Sequence, residues 1–77
     1  MDSIEKFLAQ LSPKERALYV RIFADIFILS LRTYDVKSLQ GQKGVFRLRK
    51  GKIRILFVKD NGRGIVIHIA YRKDVYR

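Results

Sequence analysis

Arg47, Arg49, Lys50, Lys52 and Arg54 lie in one short alternating stretch, Val45-Phe46-Arg47-Leu48-Arg49-Lys50-Gly51-Lys52-Ile53-Arg54-Ile55-Leu56-Phe57. Guanidinium forks only donate, and their geometry suits phosphate oxygens and the charge that builds on a phosphorane. Further along stand His68, Tyr71, Arg72, Lys73 and Tyr76, and aromatic rings stack on unpaired bases. RNA carries its own nucleophile, the 2′-OH. A metal-free ribonuclease therefore needs only to position it and to stabilise charge. Metal chemistry lacks material here. The basic half offers one histidine and two widely spaced acids, Asp60 and Asp74, too few for a site of three or four ligands. No glycine-rich phosphate loop opens a helix, there is no cysteine, and no Ser/His/Asp arrangement is present. Neither cofactor nor metal is expected.

These residues are placed by a hairpin. With Lys50-Gly51 as a two-residue turn, Arg49 pairs with Lys52, Leu48 with Ile53 and Arg47 with Arg54. The period of two then sends Arg47, Arg49, Lys52 and Arg54 to one face and Phe46, Leu48, Ile53 and Ile55 to the other. Like charges side by side on a sheet are destabilising, so a polyanion is expected on that face. The first strand covers about 45–49 and the second about 52–59. Asp60-Asn61-Gly62-Arg63-Gly64 is a turn cluster, and a third strand follows over 65–70. A turn one residue longer than Asn61-Gly62 would set His68 opposite Arg54 and keep Ile65, Ile67 and Ile69 in the core.

The first half reads as two helices. Asp2 with Glu5 forms a capping box ahead of Ile4, Phe7, Leu8 and Leu11, which recur at helical spacing. Ser12-Pro13-Lys14-Glu15 starts a second helix that continues to about Ser30, so that the two form an antiparallel hairpin. Ile26-Phe27-Ile28-Leu29 is apolar all round. Either that helix end is buried under the sheet, or Ile22, Ile26 and Leu29 form an exposed groove for a partner's helix. The stretch from Arg32 to Gln40 has no clear period and reads as a connection, with Gly41 and Gly44 marking a loop.

At 77 residues the chain makes one small α+β domain spanning 1–77, close to the lower size limit for a core without disulfides or metal. Its net charge of +10 comes from 17 Lys and Arg against 7 Asp and Glu. Residues 1–36 are balanced between acids and bases, so the whole excess sits in residues 37–77. That asymmetry points to nucleic acid. No secretory leader or membrane span is readable, and the lack of cysteine fits a reducing compartment, so a cytoplasmic location is expected and no membrane partner.

The C-terminal half resembles the RelE/ParE superfamily of type II toxins, on the RelE side. The likeness is carried by Leu39-Gln40-Gly41, Gly44-Val45-Phe46-Arg47-Leu48-Arg49, Gly51-Lys52-Ile53-Arg54-Ile55-Leu56-Phe57 and Arg72-Lys73-Asp74-Val75-Tyr76. The resemblance implies two helices packed on one face of an antiparallel sheet, and a metal-independent endoribonuclease that cuts mRNA in the ribosomal A site. It also implies a cognate antitoxin and a toxin-antitoxin hetero-oligomer. By motif position, Arg47, Arg49, Arg54, Arg72 and Tyr76 would be catalytic. Arg54 would bind phosphate, Arg72 would meet transition-state or leaving-group charge, and Tyr76 would orient the nucleotide. Lys50, Lys52, His68, Tyr71 and Lys73 would contact RNA. The family usually begins with a strand before its first helix. This chain opens on a helix, so a three-stranded sheet is expected. Arginine at both 47 and 49 hardly titrates, which leaves either His68 as the proton acceptor or a mechanism resting on electrostatics.

Two other readings compete. One is a non-catalytic binding protein, either a ParE-type gyrase inhibitor or a lapsed relative acting through its antitoxin. The other is a generic RNA or rRNA binder, with salt-dependent binding and no cleavage.

Overall fold

The computed structural model describes residues 3–72, so the expectations for Asp2, Lys73 and Tyr76 lie outside the described residues. Helix α1 spans Ser3–Ala9 and α2 spans Pro13–Phe27. The start of α2 follows from its capping chemistry. The Ser12 hydroxyl oxygen accepts from the Glu15 amide at 3.2 Å and lies 3.1 Å from the Glu15 carboxylate, while Pro13 fills a position that needs no N–H. One turn further on, the Arg16 guanidinium donates to the carbonyls of Leu8, Ala9 and Leu11. Those oxygens have no partner within α1, so a cation from α2 closes the end of α1.

Helix α2 ends at Phe27 rather than near Ser30. Leu29 adopts φ 58°, its amide donates to Ile26 and the Ser30 amide donates to Asp25, the paired bonds of a Schellman end. Leucine there costs about 1 kcal/mol of backbone strain, which its packing against the core offsets.

Four strands follow, β1 Asp35–Ser38, β2 Val45–Lys50, β3 Ile53–Asp60 and β4 Arg63–Tyr71, in a fully antiparallel sheet of order β1-β2-β3-β4. The expected three-stranded sheet is therefore corrected to four. The added strand lies in the stretch read as a connection, where an alternation of only four residues was too short to register.

The β2–β3 turn is also displaced. Lys50 pairs with Ile53, so Gly51 and Lys52 form the turn, with Gly51 at φ 58° in the first turn position, where a Gly-X hairpin wants glycine. Arg49 thus faces Arg54, Leu48 faces Ile55 and Arg47 faces Leu56. The partners move by two residues, which preserves the face of each residue that stays in a strand and takes only Lys52 out of the ladder.

The β3–β4 turn is the two-residue Asn61-Gly62, both at positive φ, and the longer loop does not form. A register shift takes its place. Phe57 pairs with Val66 and Leu56 with His68, leaving Ile67 as a bulge. The bulge keeps Ile69 in the core. Ile65 and Ile67, expected in the core, are exposed, while Val66 packs against it.

The core lies between the helices and one sheet face. Leu11, Tyr19, Ile22 and Ile26 meet Leu48, Ile53, Ile55, Phe57 and Ile69, each worth about 1.5–3 kcal/mol when fully buried. Ile26 comes so close to β4 that only glycine fits at 64, where a Cβ would lie 2.2 Å from the Ile26 carbonyl oxygen. Tyr19 donates from its hydroxyl to the Lys50 carbonyl at 3.1 Å and so ties α2 to the β2–β3 turn. This packing overturns the exposed groove. Ile22 and Ile26 are 1 % and 0 % accessible, and Leu29 is partly buried against the same core. The apolar side chains that α2 shows to solvent are Leu18, Val20 and Phe27, with Ile28 beyond its end.

Candidate nucleic-acid interface

The face of the sheet turned away from the helices carries two rows across the strands. One is Asp35, Arg49, Arg54 and Ala70, and the other is Lys37, Arg47, Leu56 and His68. Directly paired residues share a face, so Arg47, Arg49, Arg54 and His68 stand on one surface. His68 lies opposite Leu56, not Arg54, because of the bulge. It remains a diagonal neighbour of Arg54, about 7–8 Å away by sheet geometry.

Arg47 is 7 % and Arg54 2 % accessible. Burying a guanidinium is costly unless all its donors find acceptors. Arg54 Nη1 donates to the carbonyls of Gly51 at 3.0 Å and Ile53 at 3.2 Å, but Arg54 Nε has no partner, nor has Arg47 Nη1. Two buried guanidinium nitrogens thus lack a partner on the face where a polyanion was expected. An acceptor that reached them would relieve the cost of their burial.

The expected crowd of four cations without an acid needs correction. Lys52 belongs to the turn, and Asp35 supplies a carboxylate, 2.7 Å from Arg49 Nε and 3.6 Å from Arg47 Nη2. An open depression borders Arg47 and Arg49, walled by Lys37, Ser38, Leu39 and Gln40. At the other margin, the Arg72 amide donates to the Lys52 carbonyl at 2.7 Å. Arg72 therefore sits beside the β2–β3 turn with its side chain exposed, next to Lys52 and Lys50. Among the described residues no group of three His, Cys, Asp or Glu side chains that could hold a metal ion comes together.

Two expected RNA contacts do not join this surface. Lys50 and Tyr71 both pair with Ile53, in the row on the helix side, and the Tyr71 ring stands 5.0 Å from that of Phe7.

No family model and no curated protein matches the chain. A solved structure does. The crystal structure of the RelB-RelE antitoxin-toxin complex from Methanococcus jannaschii contains a chain that aligns with a TM-score of 0.70 over 92 % of this chain and 86 % of that one, at 20 % identity. The chain has a RelE-like fold. The two helices on one face of an antiparallel sheet, expected from the resemblance, are the observed architecture of this RelE-like fold.

Sequence reasoning missed Asp35 and Lys37 because it missed β1. The signal was present in the polar, apolar, polar order of Asp35, Val36 and Lys37, but it is short and preceded by no turn marker. Arg16 was missed for another reason. Its role depends on where α1 ends relative to α2, which no local pattern encodes.

Proposed function

We propose that the chain is the toxin of a toxin-antitoxin pair, a metal-independent endoribonuclease that cuts mRNA on the ribosome and so stops translation. The observation that carries this reading is the gathering of Arg47, Arg49 and Arg54 on one sheet face, with a guanidinium nitrogen of Arg47 and one of Arg54 unpartnered, bordered by Arg72 and Lys52. Likeness to one chain of an antitoxin-toxin complex supports the partner, and the sheet face supports the chemistry.

In this reading Arg47 and Arg54 receive the non-bridging oxygens of the scissile phosphodiester. The 2′-OH attacks phosphorus, the P–O5′ bond breaks, and the products are a 2′,3′-cyclic phosphate and a 5′-OH. His68, exposed on this face, takes the 2′-OH proton. Arg72 meets the charge on the leaving 5′-oxygen, which takes up a proton from water. Lys52, in the β2–β3 turn, contacts RNA beside this centre, and Tyr76 and Lys73 keep the RNA roles that the family resemblance implies for them. Guanidinium groups that are already buried and oriented stabilise the dianionic phosphorane without reorganising, and this is the main catalytic contribution.

The test is a translating extract given the protein and a defined message. Internal cuts ending in 2′,3′-cyclic phosphate are the expected result, and intact message overturns the reading. A supercoiling assay with gyrase is expected to show no inhibition.

A further inference from the structure

The Asp35 carboxylate lies between two of the arginines of the open sheet face. Its Oδ2 is 2.7 Å from Arg49 Nε and its Oδ1 is 3.6 Å from Arg47 Nη2, so one carboxylate spans two of the arginines of the open face. A carboxylate and a phosphodiester offer the same thing to a guanidinium, two oxygens in a plane that match its fork. Among the described residues, Asp35 is the acid beside these arginines. Asp60, the other acid of the described strands, is at the far end of β3 from Arg54, in the β3–β4 turn region. The Asp35 side chain is about one-third accessible and stands on the edge strand β1, so turning it out to solvent disturbs no core residue. Arg54 is held differently, by backbone carbonyls that cannot leave.

We propose that Asp35 is an internal counter-anion of the phosphate seat. It occupies the Arg49 fork in the free chain and gives way to a phosphodiester when RNA binds. The inference rests on the ribonuclease reading for the nature of the anion, but not for the existence of the seat. The phosphate meets the half-exposed Arg49 first and displaces Asp35 from it, and the buried, unpartnered nitrogens of Arg47 and Arg54 are reached only as those side chains shift. An anion too weak to displace Asp35 is not held, so the residue raises the threshold for binding. It also screens the arginines from one another while the face is empty.

The test uses two probes, inorganic phosphate and a 2′-deoxy oligonucleotide that cannot be cleaved, titrated against the full chain. Asp35→Asn is expected to bind both about fivefold more tightly, the scale of one partly exposed ion pair, whereas Asp60→Asn gains less than about twofold. Equal or weaker binding by Asp35→Asn overturns the proposal and leaves Asp35 as a prop for the arginines. An equal gain from Asp60→Asn also overturns it, because net charge alone would then explain the effect.

A second measurement needs no variant. The side-chain carboxyl resonance of Asp35 in the wild-type chain should move on saturation with phosphate, and an unmoved resonance in a phosphate-bound chain contradicts displacement. Phosphate results stand whether or not the chain cleaves RNA. An inert protein that still shows the Asp35 effect sinks the ribonuclease reading and spares this one.

Discussion

Arg49 and Arg54 stand directly opposite one another across the β2–β3 ladder, yet their guanidinium groups go to different acceptors. Arg49 Nε takes a carboxylate oxygen of Asp35 at 2.7 Å, whereas Arg54 Nη1 takes the carbonyls of Gly51 and Ile53. The division relieves the repulsion of the pair without neutralising it. One arginine is paired with a side chain that can turn away, and the other is fixed with an open Nε.

An anion that satisfies the unpartnered nitrogens of Arg47 and Arg54 should stabilise the fold. Phosphate at saturation is expected to raise the thermal midpoint by about 5 °C or more, through mass action on the native state. Arg54→Met should lose that response while staying within about 1 kcal/mol of wild type without phosphate, since an under-satisfied buried charge contributes little net stability. Midpoints measured in phosphate and in chloride at equal ionic strength check both statements. A variant that keeps the full phosphate response contradicts the seat.

Tyr34 donates its hydroxyl to the Asp25 carboxylate and joins the start of the β1 segment to α2. That hydrogen bond, with a smaller part from burial, raises the Tyr34 hydroxyl above its usual pKa of 10.0. The unfolded tyrosine therefore loses its proton first. The contribution of Tyr34 is whole below about pH 10 and fades as pH climbs through the raised folded value. Tyr34→Phe is expected to cost about 1–2 kcal/mol at neutral pH, and the gap to wild type should narrow in strongly alkaline urea titrations.

Gly64 tests the packing of α2 on β4. A methyl at this position meets the Ile26 backbone oxygen at 2.2 Å and the Ile26 Cγ2 at 2.7 Å, and neither can yield without moving the helix. Gly64→Ala should cost about 3 kcal/mol by overpacking. Gly51→Ala meets no neighbour and carries only the strain of its positive φ, about 1–2 kcal/mol. Denaturant midpoints that rank the two in the opposite order would show that α2 does not press on β4 as described.

The legibility of these features in the sequence follows their range. The start of α2 is written in Ser12, Pro13 and Glu15, because capping is settled within one turn. The basic face was readable despite a misplaced turn, since a register error of two residues leaves inside and outside unchanged. The bulge at Ile67 was not. Ile65, Val66, Ile67 and Ile69 suit a strand equally well, so the pattern did not say which of them turns outward. Asp35 was invisible as a site residue because its partners lie in the sequence-distant β2, and charge balance along the chain filed it with the neutral half. Ile26 is a helix residue whose close approach to β4 depends on glycine at 64, again a long-range fact.

The most direct measurement places wild-type protein and Arg72→Ala side by side on ribosomes programmed with a defined message. Arg72 is exposed at the margin of the sheet, so its loss spares the fold, which a circular dichroism spectrum verifies. The account predicts A-site cuts ending in 2′,3′-cyclic phosphate with the wild type, and a reduction of about 100-fold or more with Arg72→Ala, the scale of removing one charge-stabilising donor. Uncut message with the wild-type protein, or equal cutting by the folded variant, contradicts it.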